Sequence, residues 1–144
     1  MRILLLILYA LGALASCQGQ QGTSQTMQGV LYSEQTRGRV FEIRVSADSI
    51  RVLAQGVENF KKAAALTPTQ METLRILIAD IPPEDLPALE TSTENSATDR
   101  GPFAQVTLFS EERTYSSPYF DVDNPPVALQ STIRYLRELG DSLE

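Results

Sequence analysis

Residues 39–55 read Arg-Val-Phe-Glu-Ile-Arg-Val-Ser-Ala-Asp-Ser-Ile-Arg-Val-Leu-Ala-Gln. Phe41, Ile43 and Val45 alternate with Glu42, Arg44 and Ser46, the period-2 pattern of a half-buried strand. Ala47-Asp48-Ser49 interrupts the alternation, and Ile50, Val52 and Ala54 then resume it against Arg51, Leu53 and Gln55, so the stretch is expected to form a β-hairpin. Upstream, residues 30–35 extend the pattern to a further strand, with Arg37-Gly38 as the turn between them.

Downstream the period changes. Thr67-Pro68-Thr69-Gln70 is a helix start, with Thr67 as N-cap, Pro68 at the first helical position and Gln70 closing a capping box. Met71, Leu74, Leu77, Ile78 and Ile81 follow helical spacing and should face the sheet, while Glu72 and Arg75 point outward. Pro82-Pro83 ends the helix, and Pro83-Glu84-Asp85-Leu86 suits one further short turn. Residues 91–101 are polar enough for an exposed loop. Ala104, Val106 and Leu108 then alternate with Phe103, Gln105, Thr107 and Phe109, and this strand should pair across Ser110-Glu111-Glu112 with residues 113–119. Asp123-Asn124-Pro125-Pro126 offers a polar cap and prolines for the first turn of a closing helix, whose apolar stripe is Leu129, Ile133, Leu136 and Leu139. The expected fold is α+β: an antiparallel sheet of four to five strands with two main helices on one face, in the order ββ(β)αββα.

Ahead of this domain lies a leader. Met1 and Arg2 form a short basic start, and residues 3–14 form an apolar run too short to span a bilayer comfortably. The run ends in Leu14-Ala15-Ser16-Cys17, which resembles the lipobox of bacterial lipoproteins, an aliphatic residue and two small ones before a cysteine. Small residues give the signal peptidase access to the bond before Cys17. The resemblance implies cleavage there, diacylglycerol on the Cys17 thiol and acylation of the freed amino group. Two or more acyl chains give durable attachment, at about 0.8 kcal/mol per buried methylene. Residues 18–28 are glutamine-rich with little to bury, suiting a solvated spacer. The division expected is therefore a signal peptide at 1–16, a lipidated tether at 17–28, one domain at 29–140 and a short tail at 141–144. Gln18 rather than Asp after the cysteine implies, by the enterobacterial rule, the outer membrane. The missing acidic run after Cys17 favours its periplasmic side.

Composition narrows the function. Apolar residues make up 42% and charged residues 21%, ordinary globular usage. The net charge of −6 includes Arg2, so the processed chain carries −7 and repels phosphate backbones, making nucleic acid an unsuitable partner. The two lysines, Lys61 and Lys62, are adjacent and read as a solvated face. The chain has no histidine, which removes the usual general base and the commonest zinc ligand. Its single cysteine cannot form an intrachain disulfide.

Candidate chemistry is sparse. Asp121-Val122-Asp123-Asn124 spaces oxygens like the opening of a calcium loop, but Pro126 and Thr132 stand where an EF-hand needs Gly and Glu, so structural capping is the better reading. Asp99-Arg100-Gly101 is read as turn chemistry. Ser92, Ser96, Ser110, Ser116 and Ser117 have no histidine to activate them, and no serine stands three residues before either lysine. Glu111 and Glu112, adjacent on a hairpin tip, should point to opposite sides. Tyr115, Tyr119 and Phe120 cluster near the last strand as a candidate partner surface, with core packing the stronger alternative. No cofactor and no metal are expected.

The order of Thr98-Asp99-Arg100-Gly101, the following strand, Tyr115, Phe120-Asp121 and Asn124-Pro125-Pro126 is similar to that of small uncharacterised lipoproteins of the Bacteroidetes type, a resemblance that implies location and transfers no catalytic residue. The leading expectation is a membrane-anchored envelope lipoprotein, not an enzyme, whose domain binds a protein or peptide. The alternative is an inhibitor of an envelope or secreted hydrolase, inserting the loop at 91–101 into a cleft. A third is an enzyme working with carboxylates alone.

Overall fold

The computed structural model describes residues 27–93 and 101–143. The leader, Cys17, most of the spacer, Ser96 and Asp99-Arg100 lie outside the described residues.

The fold is α+β, an antiparallel sheet with two main helices on one face. In chain order the strands are β1 (Met27–Thr36), β2 (Arg39–Ser46), β3 (Ser49–Gln55) and β4 (Phe60–Ala65), then helix α1 (Pro68–Ala79) and a 3₁₀ turn (Pro83–Ala88). Strands β5 (Phe103–Ser110), β6 (Thr114–Ser116) and β7 (Phe120–Asp121) follow, and α2 (Val127–Asp141) closes the chain. The sheet runs β4-β3-β2-β1-β5-β6, with β7 also on β5, making seven strands where four to five were expected.

Register explains the division of faces. Val30, Val45, Ile50 and Leu108 lie in one row across β1, β2, β3 and β5, and Tyr32, Ile43, Val52 and Val106 form the next. All eight are buried, and they meet Leu74 and Ile78 of α1 and Leu129, Ile133, Leu136 and Leu139 of α2 in one core. The residues that alternate with them in sequence, such as Leu31, Arg44, Arg51 and Thr107, therefore point to the other face, where no helix packs among the described residues.

The start of α1 forms as its sequence dictates. Gln70 N–H donates to Thr67 Oγ1 at 3.2 Å, and Thr67 N–H donates to Gln70 Oε1 at 2.8 Å. Of the apolar positions expected to face the core, Leu74, Ile78 and Ile81 are buried while Met71 and Leu77 are half-buried. Helix α1 is tied to α2 by Tyr135, whose hydroxyl donates to Gln70 O at 3.4 Å.

The spacer ends earlier than residue 28, because Met27 and Gln28 already pair in β1 or continue it. Strand β4 carries no sequence pattern of its own: Phe-Lys-Lys-Ala-Ala-Ala does not alternate, because all six residues of this edge strand are exposed. The expected strand at 113–119 is broken in two. Between β6 and β7, Ser117 N–H donates to Val106 O at 2.9 Å while Ser117 Oγ accepts from Val106 N–H at 3.1 Å, a side chain taking the place of a backbone acceptor. Finally, Asp123 and Asn124 do not cap α2: its N-cap is Pro126 without a side-chain cap, and Asn124 N–H instead closes a turn on Asp121 O at 2.9 Å.

Candidate functional site

An apolar groove of about 750 Å³ opens between α1 and the ends of β1 and β2. The start of β1 contributes Met27 and Val30, the end of β2 and its turn contribute Val45, Ser46 and Ala47, and the inner side of α1 contributes Met71, Leu74, Ile78 and Ala79, with Ile81 and Pro82 at one end. Gln28, Ser46 and Arg75 supply polar groups. Within α1 only Leu74 and Ile78 are buried, and both line the groove together with Ala47 of the β2–β3 turn. An apolar concavity with a few polar groups is the usual form of a binding site.

A second feature joins β1 to α2. Arg137 Nη2 donates to Tyr32 Oη at 2.8 Å and to Glu34 Oε1 at 2.7 Å. Burial pushes the Tyr32 phenol above its ordinary range, against the lowering effect of the Arg137 hydrogen bond, so it stays protonated at neutral pH. Burial opposes the charge on Arg137, but the phenol and Glu34 outweigh it and raise its pKa, so the cation is held. Tyr32 is fully buried, so this group locks α2 onto the sheet and offers no phenol to a substrate.

The outer sheet face is mixed. Leu31, Val40, Leu53, Phe103 and Phe109 are half-buried there, shielded by their neighbours' long side chains. The Arg44 guanidinium carbon lies 4.6 Å from the Phe109 ring centroid, and Tyr119 packs edge-on against Phe103 at 5.1 Å.

The three aromatics proposed as a partner surface do not share one. Phe120 has no exposed surface and belongs to the core, Tyr115 is half-buried against that core from the row of Leu108, and Tyr119 alone is exposed. The reason is the strand parity across the break at Ser117, which turns Phe120 inward and Tyr119 outward.

The remaining candidates are likewise placed. Asp121 is buried in β7 opposite Phe103, whereas Asp123 and Asn124 are exposed in the turn after it. Among the described residues, no group of three or more His, Cys, Asp or Glu side chains lies close enough to hold a metal ion. Ser110 Oγ bonds the β5–β6 turn at Arg113, Ser116 Oγ bonds Thr107 Oγ1, and Ser117 Oγ donates to Pro118 O. The Lys62 ammonium donates to Leu143 O at 2.8 Å. Glu111 and Glu112 are both exposed on the hairpin tip, with Glu111 accepting from Gln28.

No family model matches the chain, and no curated protein matches it. No helix among the described residues is long and apolar enough to cross a membrane.

No single segment of the sequence specifies the groove. Its walls come from residues 27–30, 45–47 and 71–83, and each segment by itself reads as ordinary strand, turn or amphipathic helix. Met71 was the one available signal, a core-patterned residue that remains half-buried because it lines the opening.

Proposed function

We propose that this chain is an envelope lipoprotein, anchored to the membrane by lipid on Cys17, whose domain is a non-catalytic module that binds a protein or peptide partner. The observation that carries the binding role is the apolar groove between α1 and the end of the β1–β2 pair. Its volume suits a few apolar side chains of a partner, and Arg75 among its lining supplies a donor to the partner backbone. Met27 lines the groove, so the tether to Cys17 leaves the domain beside it. Ten residues of extended chain reach about 34 Å, which keeps the groove near the membrane surface.

A photoreactive residue at Ala79, inside the groove, is compared in intact cells with one at the exposed Glu72 outside it. The expected result is a discrete adduct from position 79, absent from position 72 and lost when Met71→Trp fills the groove. Equal labelling from both positions, or turnover of a substrate by the purified protein, contradicts the reading.

A further inference from the structure

Strand β4 is a sheet edge whose six residues are all exposed. Leu66 N–H donates to Asp48 O at 2.7 Å, so the pair beyond Ser49–Ala65 is hydrogen-bonded. Antiparallel alternation then directs the backbone N–H and C=O groups of Lys61, Ala63 and Ala65 away from β3. These groups form a row spaced about 6.8 Å apart, the template to which another strand adds. The run Ala63-Ala64-Ala65 leaves room for the side chains of an incoming strand.

Charge selects the occupant. In a chain of net charge −6, both lysines fall in β4. Lys62 is held by the Leu143 carbonyl, while Lys61 has no ion pair among the described residues. Next to Lys61 on the outer face, Arg51 of β3 stands directly opposite Arg44 of β2. Like charges in that position repel, and no carboxylate among the described residues pairs with either arginine. A shallow hollow of about 260 Å³ lies between them, lined by Arg44, Arg51, Ser46, Ser49 and Ala63. Glu42 is the one carboxylate in these two outer-face rows and, among the described residues, forms no ion pair with their three cations, so the charge left beside the open edge is positive. A second copy of β4 brings more lysines to the edge and supplies no carboxylate.

We infer that β4 takes up an extended acidic segment of another protein as an added strand, with carboxylates at alternate positions meeting Lys61 and Arg51. This rests on the reading of the domain as a binding module, but on neither the groove nor the lipid. A lysine on an edge strand ordinarily discourages chance pairing, and here it also discriminates by charge.

The test uses the full chain in detergent micelles with two synthetic peptides, one alternating Glu and Thr and one alternating Lys and Thr, followed by amide hydrogen exchange. The Glu peptide is expected to slow exchange at Lys61, Ala63 and Ala65 by about tenfold or more, and the Lys peptide to leave it unchanged. Arg51→Glu and Lys61→Glu should each weaken the Glu peptide by about tenfold, and high salt should do the same. Ala63→Pro, which removes an outward N–H without breaking the β3 ladder, should abolish protection at the edge. If that variant misfolds by circular dichroism, the two charge reversals decide. Equal protection by both peptides, protection confined elsewhere, or self-association through β4 overturns the inference. Edge protection that persists when Ala79 yields no crosslink separates this site from the groove.

Discussion

Replacing Arg137 by methionine tests how α2 is held to the sheet. The guanidinium donates to a fully buried phenol at 2.8 Å and to Glu34 at 2.7 Å. The arginine side chain is 42% exposed and that of Glu34 18%, so the ion pair is screened and contributes about 0.5–1 kcal/mol. The buried bond to the Tyr32 oxygen adds about 1.5 kcal/mol, the low end for a charged donor. Against these stands the buried Arg137 Nε, which has no acceptor among the described residues. Removing it returns about 1 kcal/mol. The net expectation is a loss of about 1–1.5 kcal/mol, since methionine keeps most of the aliphatic packing. In guanidinium chloride, with a slope of about 4 kcal/mol/M, the midpoint should fall by about 0.3–0.4 M. Tyr32→Phe should cost about the same, and the double variant should show a coupling near 1 kcal/mol. Strict additivity, or an Arg137→Met protein as stable as the parent, refutes the assignment of this contact as the clamp.

Because Tyr32 titrates above its unfolded value, the unfolded chain releases its proton first as pH rises, and the stability from the protonated phenol is lost above about pH 10. Tyr32→Phe should flatten that alkaline limb in denaturation curves taken between about pH 9 and 11. Gly56 has φ +121°, and a Cβ there would collide with the Gly38 carbonyl oxygen, so Gly56→Ala should destabilise by about 2 kcal/mol or more in the same assay. Ala47 carries φ +53° in the β2–β3 turn, and Ala47→Gly should raise stability by about 0.5 kcal/mol, seen as a higher thermal midpoint. Leu136→Ala, at a fully buried core position, should cost about 2–5 kcal/mol by chemical denaturation.

Where sequence was legible, the physics was local. The Thr67–Gln70 box, the 39–55 hairpin and the Leu129–Leu139 stripe each specify their element through spacing within a few residues, and each forms. Strand β4 was illegible because an edge exposed on both faces needs no alternation, and three alanines in it favour helix as readily as strand. The split of the last hairpin was hidden because Ser117 acts through its hydroxyl, which a hydrophobic pattern does not register. The clamp joins residues 105 apart, and the groove is assembled from three segments, so both depend on tertiary docking of α1 and α2. For the aromatics at 115, 119 and 120, the residue types were visible but not the parity that buries Phe120 and exposes Tyr119.

The claim on which membrane location depends is the lipid on Cys17, and intact-mass measurement of the protein isolated from its native membrane reads it directly. The proposal predicts a chain beginning at Cys17, heavier than its residues by a diacylglyceryl group and an amide-linked acyl chain. A mass equal to the residues alone, with the Cys17 thiol free to react with a maleimide, contradicts it.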